Sequence, residues 1–230
     1  MVATPIGNLG DITYRAIKIL KKVDLIAAED TRRARILLQK YNIQNKLISF
    51  HAQSSDTKIR EILAKVNPGQ SLAYISDAGT PSISDPGFSL VASAVRENFK
   101  IIPLPGPSAL TALVSVAGVP SDKFVFWGFL PHKKGRQTII KSFSETKISQ
   151  IFYESVHRFP RLLSELQKFL GEKRVIVVGR ELTKIYEEIF RGNVGEAMKY
   201  FVSEKIRGEF VVLVAPQNFS LKKLAKKNEK

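Results

Sequence analysis

The sequence predicts an α/β protein with two α/β halves. Short apolar runs alternate with amphipathic helical patterns, and a second series of such runs begins after residue 122. Strands that alternate with helices need crossover connections, which favour a mainly parallel sheet. The 230 residues are enough for one large domain or two of ordinary size.

The first half contains four predicted strands and four predicted helices. Each strand is a short apolar run bounded by turn residues. The strands are 25–28, 46–50, 72–76 and 100–104. In each helix apolar residues recur at intervals of three and four. The helices are 13–23, 31–41, 57–66 and 88–98. Asp11 or Thr13 is expected to cap the first helix, and Ser54, Ser55 or Asp56 the third.

The second half is predicted by the same patterns. Its strands are 124–129, 150–154, 174–182, 187–192 and 209–216. Its helices lie near 133–143, 156–170 and 194–204. The predicted divisions of the chain are an N-terminal domain 1–110, a hinge 111–122, a C-terminal domain 123–218 and a basic tail 219–230.

The charge of the chain indicates a polyanionic partner. Lys and Arg number 36 against 21 Asp and Glu, which gives a net charge of +15. The last ten residues hold five Lys and one Glu, so their removal still leaves +11. A field of this sign favours nucleic acid first and an anionic membrane surface second. A basic surface that only keeps the protein in solution is the alternative.

Composition also excludes several classes of protein. No apolar run reaches the roughly 18–20 residues of a membrane helix, and the N-terminus lacks the pattern of a secretory signal. Cysteine is absent, which excludes disulfides and thiolate metal sites. The three histidines are scattered and indicate no metal cluster. We therefore expect a cytoplasmic protein with no metal and no membrane partner.

Three polar turns rich in Gly and Pro follow extended apolar segments of the first half, namely residues 2–3 and the predicted strands 72–76 and 100–104. They span 4–11, 76–87 and 105–110. Ligands of parallel sheets bind at the carboxyl ends of the strands, where such turns let the backbone approach closely. One such turn could simply connect a strand to a helix, but three together favour a shared ligand-binding cleft. Both common phosphate-binding patterns are missing, so a ligand without phosphates is expected, with Asp77 and Ser108 as hydrogen-bond partners.

Seven motifs in order resemble one known family. They are "VATPIGNLGDIT", "AAEDTR", "SDAGTPSISDPG", "PLPGPSAL", "GFLP", "FYESVHR" and "RELTK". From Val2 to about Val214 the chain is similar to the bacterial ribosomal RNA small subunit methyltransferase I family, within the tetrapyrrole methylase superfamily. Members of that family carry further residues before the first motif, so a shortened first strand is expected here.

The resemblance implies fold, chemistry and partners. It implies two α/β domains of tetrapyrrole methylase type, with a mainly parallel first sheet, a mixed second sheet and a cofactor cleft between them. S-adenosylmethionine is the implied cofactor and S-adenosylhomocysteine the product. The implied reaction is 2′-O-methylation of a cytidine ribose in 16S ribosomal RNA, free or in the assembled subunit. Relatives act as homodimers, which implies the same here.

Site residues are carried over motif by motif. The implied cofactor contacts are Pro5, Ile6, Asp77, Ala78, Gly79, Thr80, Ser108, Ala109, Glu154, Leu182, Glu209 and Phe210. Because a ribose hydroxyl has a high pKa, a base or a cation should assist the transfer. Lys184 and Glu181 are the first candidates for this role, and Glu29 is the next. For each of them a surface ion pair is the alternative.

Basic and aromatic residues near the motifs are candidates for RNA contact. They are Arg32, Arg33, Arg35, Lys133, Lys134, Arg136, His157 and Arg158. Lys and Arg set the register on phosphates, and Phe129 or Trp127 is a candidate for stacking on an exposed base. Solvated helix faces explain many of these charges equally well.

Two other functions remain open from the sequence. A methylase of tetrapyrroles or other small molecules would share the fold and cofactor but has no need of a +15 chain. A non-catalytic RNA-binding protein would explain the charge but leave the three polar turns without a role.

Overall fold

The computed structural model describes residues 1–220, apart from the side chain of Ser203. The predicted basic tail therefore lies largely outside the described residues. The chain divides into two compact units, Met1–Ser108 and a second that begins at Ala109. The predicted hinge, 111–122, contains most of the first helix of the second unit, and its role as a hinge stays a prediction.

Unit 1 is a parallel sheet with helices on both faces. Its strands are β1 (Leu25–Ala28), β2 (Leu47–Ser49) and β3 (Leu72–Ile75). Its helices are α1 (Tyr14–Lys22), α2 (Thr31–Lys40), α3 (Asp56–Leu63) and α4 (Gly87–Arg96). The strand order is β2-β1-β3, and both pairings are parallel. The predicted strands and helices of this half are confirmed, with one exception at 100–104.

Residues 100–104 pair at one residue instead of forming a strand. Val2 donates its N–H to Tyr74 O, and Leu104 forms a parallel bridge with Val2. Pro103 and Pro105 flank Leu104 and supply no N–H to a further neighbour, so this segment can lie only at the edge of the sheet. The segment nevertheless runs beside the sheet and delivers its turn to the carboxyl end.

The core of unit 1 lies on both faces of the sheet. Ile26, Ala28 and Ile75 pack with α1 and α2, whereas Ala27 and Tyr74 pack with α3 and α4. All four residues of β1 are buried, as expected for a strand covered on both faces.

Hydroxyl side chains start two of these helices. Thr13 accepts the N–H of Ala16 at the start of α1, and Ser55 accepts the N–H of Lys58 at the start of α3. Each is one of the capping candidates predicted from the sequence.

Unit 2 is a mixed five-stranded sheet. Its strands are β4 (Phe124–Phe129), β5 (Ser149–Ser155), β6 (Val175–Arg180), β7 (Glu188–Asn193) and β8 (Glu209–Val214). Its helices are α5 (Ala109–Val116), α6 (Arg136–Ser142), α7 (Phe159–Leu170) and α8 (Val194–Tyr200). The order is β4-β5-β8-β6-β7; β4 and β5 are parallel and the other pairs antiparallel.

Helices α6, α7 and α8 cover one face of this sheet, and their core includes Phe152, Val178 and Val212. The predicted strand 174–182 ends at Arg180, because Glu181 has a φ of +50° and Thr183 a φ of +67°, which leave the extended region. In the described part of the chain, every helix is too short or too polar to cross a membrane.

Candidate functional site

The three polar turns of unit 1 are bonded to one another at the carboxyl end of its sheet. Thr4 and Gly79 exchange two main-chain hydrogen bonds, of 2.9 and 3.0 Å. The Thr80 hydroxyl donates to Pro107 O at 3.1 Å. The turns 4–11, 76–87 and 105–110 therefore form one loop cluster, as the sequence predicts for a shared ligand site.

Gly79 lies where the three turns approach one another. Its φ is +80°, and a Cβ placed there would lie 3.3 Å from Ile6 Cγ2 and 3.6 Å from Pro107 O. A side chain would fill the space between the turns. Seven predicted cofactor contacts lie in the part of this cluster that belongs to unit 1: Pro5, Ile6, Asp77, Ala78, Gly79, Thr80 and Ser108. Pro5, Gly79 and Ser108 are buried, so they form the interior part of the cluster.

Asp77 ties the cluster to helix α2. Its Oδ1 accepts the N–H of Asp30 at 2.9 Å, and its Oδ2 lies 3.3 Å from Arg33 Nη1. Asp30 is in turn the N-cap of α2 and accepts the N–H of Arg32. Arg32 and Arg33 are exposed. This bond between the loop and the basic helix joins residues 47 positions apart, and no sequence pattern points to it.

Glu29 also lies against the cluster, where its Oε2 accepts the N–H of Asp77 at 3.4 Å. Burial raises the pKa of the Glu29 carboxyl above its usual value. The N–H of Asp77 opposes this rise, whereas the charges of Asp77 and Asp85 add to it. A carboxylate whose pKa moves toward neutrality suits a general base.

Lys184 and Glu181 form an ion pair in unit 2. Lys184 Nζ lies 2.8 Å from Glu181 Oε1 and 3.1 Å from Glu209 Oε2. Burial would lower the pKa of Lys184, but the hydrogen bonds to the two carboxylates outweigh it and raise the pKa. Burial likewise opposes ionisation of Glu181, yet Lys184 and the N–H of Glu209 lower its pKa. Lys184 is thus a cation at neutral pH, able to stabilise negative charge but not to accept a proton.

Three predicted cofactor contacts of unit 2 have buried side chains. Glu154 Oε2 lies 2.7 Å from Arg136 Nη2, and its Oε1 lies 2.8 Å from Arg158 Nε. The Phe210 ring stacks on Phe159 with centroids 4.0 Å apart. Leu182 is buried as well. The Glu154 and Phe210 side chains hold the interior of the unit, so a cofactor contact from either residue would have to use its main chain. Ala109 begins α5, and Glu209 is exposed.

The predicted RNA surface is wrong at Arg136. The Arg136 side chain is 0% exposed and is bonded to Glu165 at 2.6 Å as well as to Glu154, so it cannot contact RNA. Arg158 is mostly buried against Glu154. Lys133 and Lys134 are exposed as expected. A signal for the burial was present, because Arg136 precedes Ile140 by four residues and so shares its buried helix face.

Two other features stand apart from the loop cluster. A cavity of about 670 Å³ lies in unit 1 where β1 and β3 begin, and none of the predicted site residues lines it. Within the described residues, no group of His, Cys, Asp and Glu side chains is arranged to hold a metal ion.

Comparison with known proteins identifies the family. The family described as Tetrapyrrole (Corrin/Porphyrin) Methylases matches residues 1–198. The chain belongs to this family. It is 46% identical to ribosomal RNA small subunit methyltransferase I of Thermotoga maritima, over 94% of this chain and 96% of the relative. The protein of the same name from Synechocystis is also 46% identical, over 94% and 77% of the two chains.

Solved structures agree on the fold of this tetrapyrrole methylase. A diphthine synthase superposes with a TM-score of 0.77 at 11% identity, covering 99% of this chain and 93% of that one. A uroporphyrin-III C-methyl transferase from Thermus thermophilus, complexed with S-adenyl homocysteine, has a TM-score of 0.64 at 15% identity, covering 93% and 95%. The predicted fold and the prediction of a methyltransferase are confirmed.

Proposed function

We propose that this chain transfers the methyl group of S-adenosylmethionine to ribosomal RNA of the small subunit, at the 2′-hydroxyl of a cytidine ribose. The observation that carries the proposal is the 46% identity, over nearly the whole chain, to two proteins named ribosomal RNA small subunit methyltransferase I. The net charge of +15 supports an RNA substrate over a small tetrapyrrole. A homodimer and a cytoplasmic location are part of the proposal and rest on the family resemblance.

The loop cluster of unit 1 fits the cofactor. S-adenosylmethionine has no phosphates, in keeping with turns that lack both phosphate-binding patterns; when bound, it supplies the methyl group. The space beside Gly79 admits close approach to the main chain. Asp77, Thr80 and Ser108 supply polar groups around that space.

Side chains of this protein orient the RNA and accept the proton of the ribose hydroxyl. Arg32 and Arg33 are exposed at the start of α2, which Asp77 joins to the loop cluster, and cations there bind phosphates and fix the register of the RNA. Glu29 is proposed as the base that accepts the proton of the ribose hydroxyl, because its pKa is raised. Alignment of the reacting groups supplies the larger part of the acceleration, on the order of 7–11 kcal/mol.

Methyl transfer to small ribosomal subunits tests the proposal directly. Subunits and free ribosomal RNA from a strain that lacks the modification would be incubated with S-adenosylmethionine labelled in its methyl group. We expect label in one cytidine whose 3′ linkage resists alkaline hydrolysis. A tetrapyrrole would be offered as substrate in a parallel reaction. Label in the tetrapyrrole but never in RNA would overturn the proposal and favour a small-molecule methylase.

Replacing Asp77 by Ala should weaken S-adenosylmethionine binding by about 10- to 150-fold, as expected for losing a hydrogen-bonded charged group. Calorimetric titration measures the change. Asp24→Ala is the matched control, because Asp24 also accepts a backbone N–H, from Ser71, but at the other end of the sheet. Equal affinities for the two variants would remove Asp77 from the cofactor site.

Replacing Arg32 by Ala should weaken RNA binding and reduce the slope of log affinity against log salt by about 1. The Arg32 side chain is 86% exposed and pairs only with the neighbouring Asp30 among the described residues. Arg60→Ala, an exposed Arg on α3, is the control. An unchanged slope for Arg32→Ala, or the same change for Arg60→Ala, would contradict the assignment.

A further inference from the structure

An aromatic cluster lies at the carboxyl end of β4, an edge strand of the unit 2 sheet. Phe129 is the last residue of that strand and is 54% exposed. Its ring lies 5.5 Å from the Tyr153 ring, and Phe126 lies 5.0 Å from Tyr153 on the same side. The pairing of β4 with β5 shifts between Phe126 and Phe129, which brings both rings to one face. Phe129 therefore presents an exposed ring that packs on Tyr153, which Phe126 contacts in turn.

Trp127, the other aromatic residue considered for base stacking, is held in place differently. Its Nε1 donates to Gln150 Oε1 at 2.8 Å, and its ring lies 5.7 Å from the ring of Phe143 in the core. Both contacts are on the helix-covered side of the sheet. Phe129 is thus the better-placed ring for a ligand.

Basic residues lie in the segments that follow β4 and β5. Strands β4 and β5 are parallel, so the segments that follow them begin at the same edge. The exposed basic residues of those segments are His132, Lys133, Lys134 and His157. Two hydrogen bonds tie the loop after β4 to the start of α7: Arg158 Nη1 donates to Leu130 O at 3.0 Å and Arg161 Nη1 to His132 O at 3.4 Å.

This combination fits one class of ligand. Single-stranded RNA offers bases that stack on aromatic rings and phosphates that bind lysines. A two-fold contact between copies of this surface would bring the same lysines of both chains together, and like charges there oppose association. The hydrogen bonds of the loop to Arg158 and Arg161 reduce the conformational entropy that binding would cost.

We propose that Phe129, packed on Tyr153 and followed in the next loop by the exposed Lys133 and Lys134, is a stacking site for an unpaired base of the RNA substrate. The inference rests on the proposed function, since it assumes an RNA substrate. It adds that unit 2 recognises a base that is not paired in a duplex, through the face of its ring and without selecting its sequence.

Binding of two short oligonucleotides tests the inference. One is single-stranded RNA of mixed sequence, and the other has the same backbone with abasic sites throughout. Phe129→Ala should weaken binding of the RNA by about 5- to 100-fold and leave the abasic strand unchanged, whereas Phe129→Trp should bind both like the wild type. The double variant Lys133→Ala, Lys134→Ala should weaken both ligands.

Phe124→Ala is the matched control, because Phe124 is an exposed Phe on the same strand, roughly 16 Å from Phe129 along the chain. Equal losses for both oligonucleotides in Phe129→Ala would overturn the inference. The inference would also be overturned if Phe129→Ala changed the oligomeric state in sedimentation and left RNA affinity unchanged, since the surface would then bind a second copy of the chain. If the wild type binds no RNA and methylates no subunit, the proposed function fails together with this inference. If the wild type methylates the subunit but Phe129→Ala binds both oligonucleotides normally, only the inference fails.

Discussion

A Glu29→Gln chain should transfer methyl groups to ribosomal RNA about 100- to 10,000-fold more slowly than the wild type, which is the contribution of a positioned general base. Gln has the shape of Glu and keeps an oxygen to accept the N–H of Asp77, so the loop cluster should stay intact. S-adenosylmethionine affinity should therefore change little. Single-turnover rates with small subunits, together with calorimetry of the cofactor, measure the two effects separately.

The pH dependence of the methyl-transfer rate provides a second test of Glu29 as the general base. A base acts when deprotonated, and burial raises the pKa of Glu29, so the wild-type rate should rise with pH through that raised pKa. The residual rate of Glu29→Gln should lack this rise. Glu61→Gln, an exposed Glu on α3, is the control and should keep the wild-type profile. A Glu29→Gln rate near that of the wild type would exclude Glu29 as the base.

Glu29 should also affect the pH dependence of stability. Because its pKa is higher in the folded than in the unfolded chain, the folded state binds its proton more tightly. The stabilisation from that proton is complete below the ordinary Glu pKa and is lost as pH rises through the raised one. Glu29→Gln should therefore be relatively more stable than the wild type above that range.

An Arg136→Met chain should lose about 3–5 kcal/mol of the free energy of unfolding of unit 2, as is typical when one partner of a buried ion pair is removed. Arg136 is 0% exposed and is bonded to Glu154 and Glu165, which are themselves buried. Burial disfavours its charge, but these hydrogen bonds outweigh that and raise its pKa. Without the guanidinium, two carboxylates would face each other in the interior with fewer partners.

Urea unfolding followed by tryptophan fluorescence measures this loss. The chain has one Trp, Trp127, and it lies in the unit that contains Arg136, so the signal reports unit 2. Lys133→Met is the matched control, three residues away and exposed, and should change stability by less than about 0.5 kcal/mol. A loss below about 1 kcal/mol for Arg136→Met would contradict a structural role for the network, since that is the range of surface ion pairs.

The sequence predicts the strands and the loop cluster well because both depend on local patterns. Apolar runs bounded by turn residues identify β1, β3 and β8 almost to the residue, and polar turns after parallel strands must meet at one edge. The strand predicted at 100–104 is wrong, because only a bridge between Val2 and Leu104 forms there; the prolines on both sides of Leu104 restrict the segment to the sheet edge.

Side-chain directions are harder to predict. The "HKKGR" run reads as one basic patch, yet its lysines are exposed and Arg136 points into the core. Glu154 and Phe210 are cofactor contacts that the family resemblance implies, but a resemblance gives the position in the chain and not the direction of the side chain. The bond between Asp77 and α2 depends on tertiary contacts that no periodicity reports.

The position of β8 has a consequence for how the protein is made. Among the described strands β8 is the last to be synthesised, yet it lies between β5 and β6 and is hydrogen-bonded to both. Until Val214 has left the ribosome, β5 and β6 each have an open edge, and open edges are sites of aggregation. Unit 1 is complete once Ser108 has emerged, so it can fold during translation while unit 2 waits. A premature stop codon before Glu209 should therefore yield an aggregating fragment rather than a partly active enzyme.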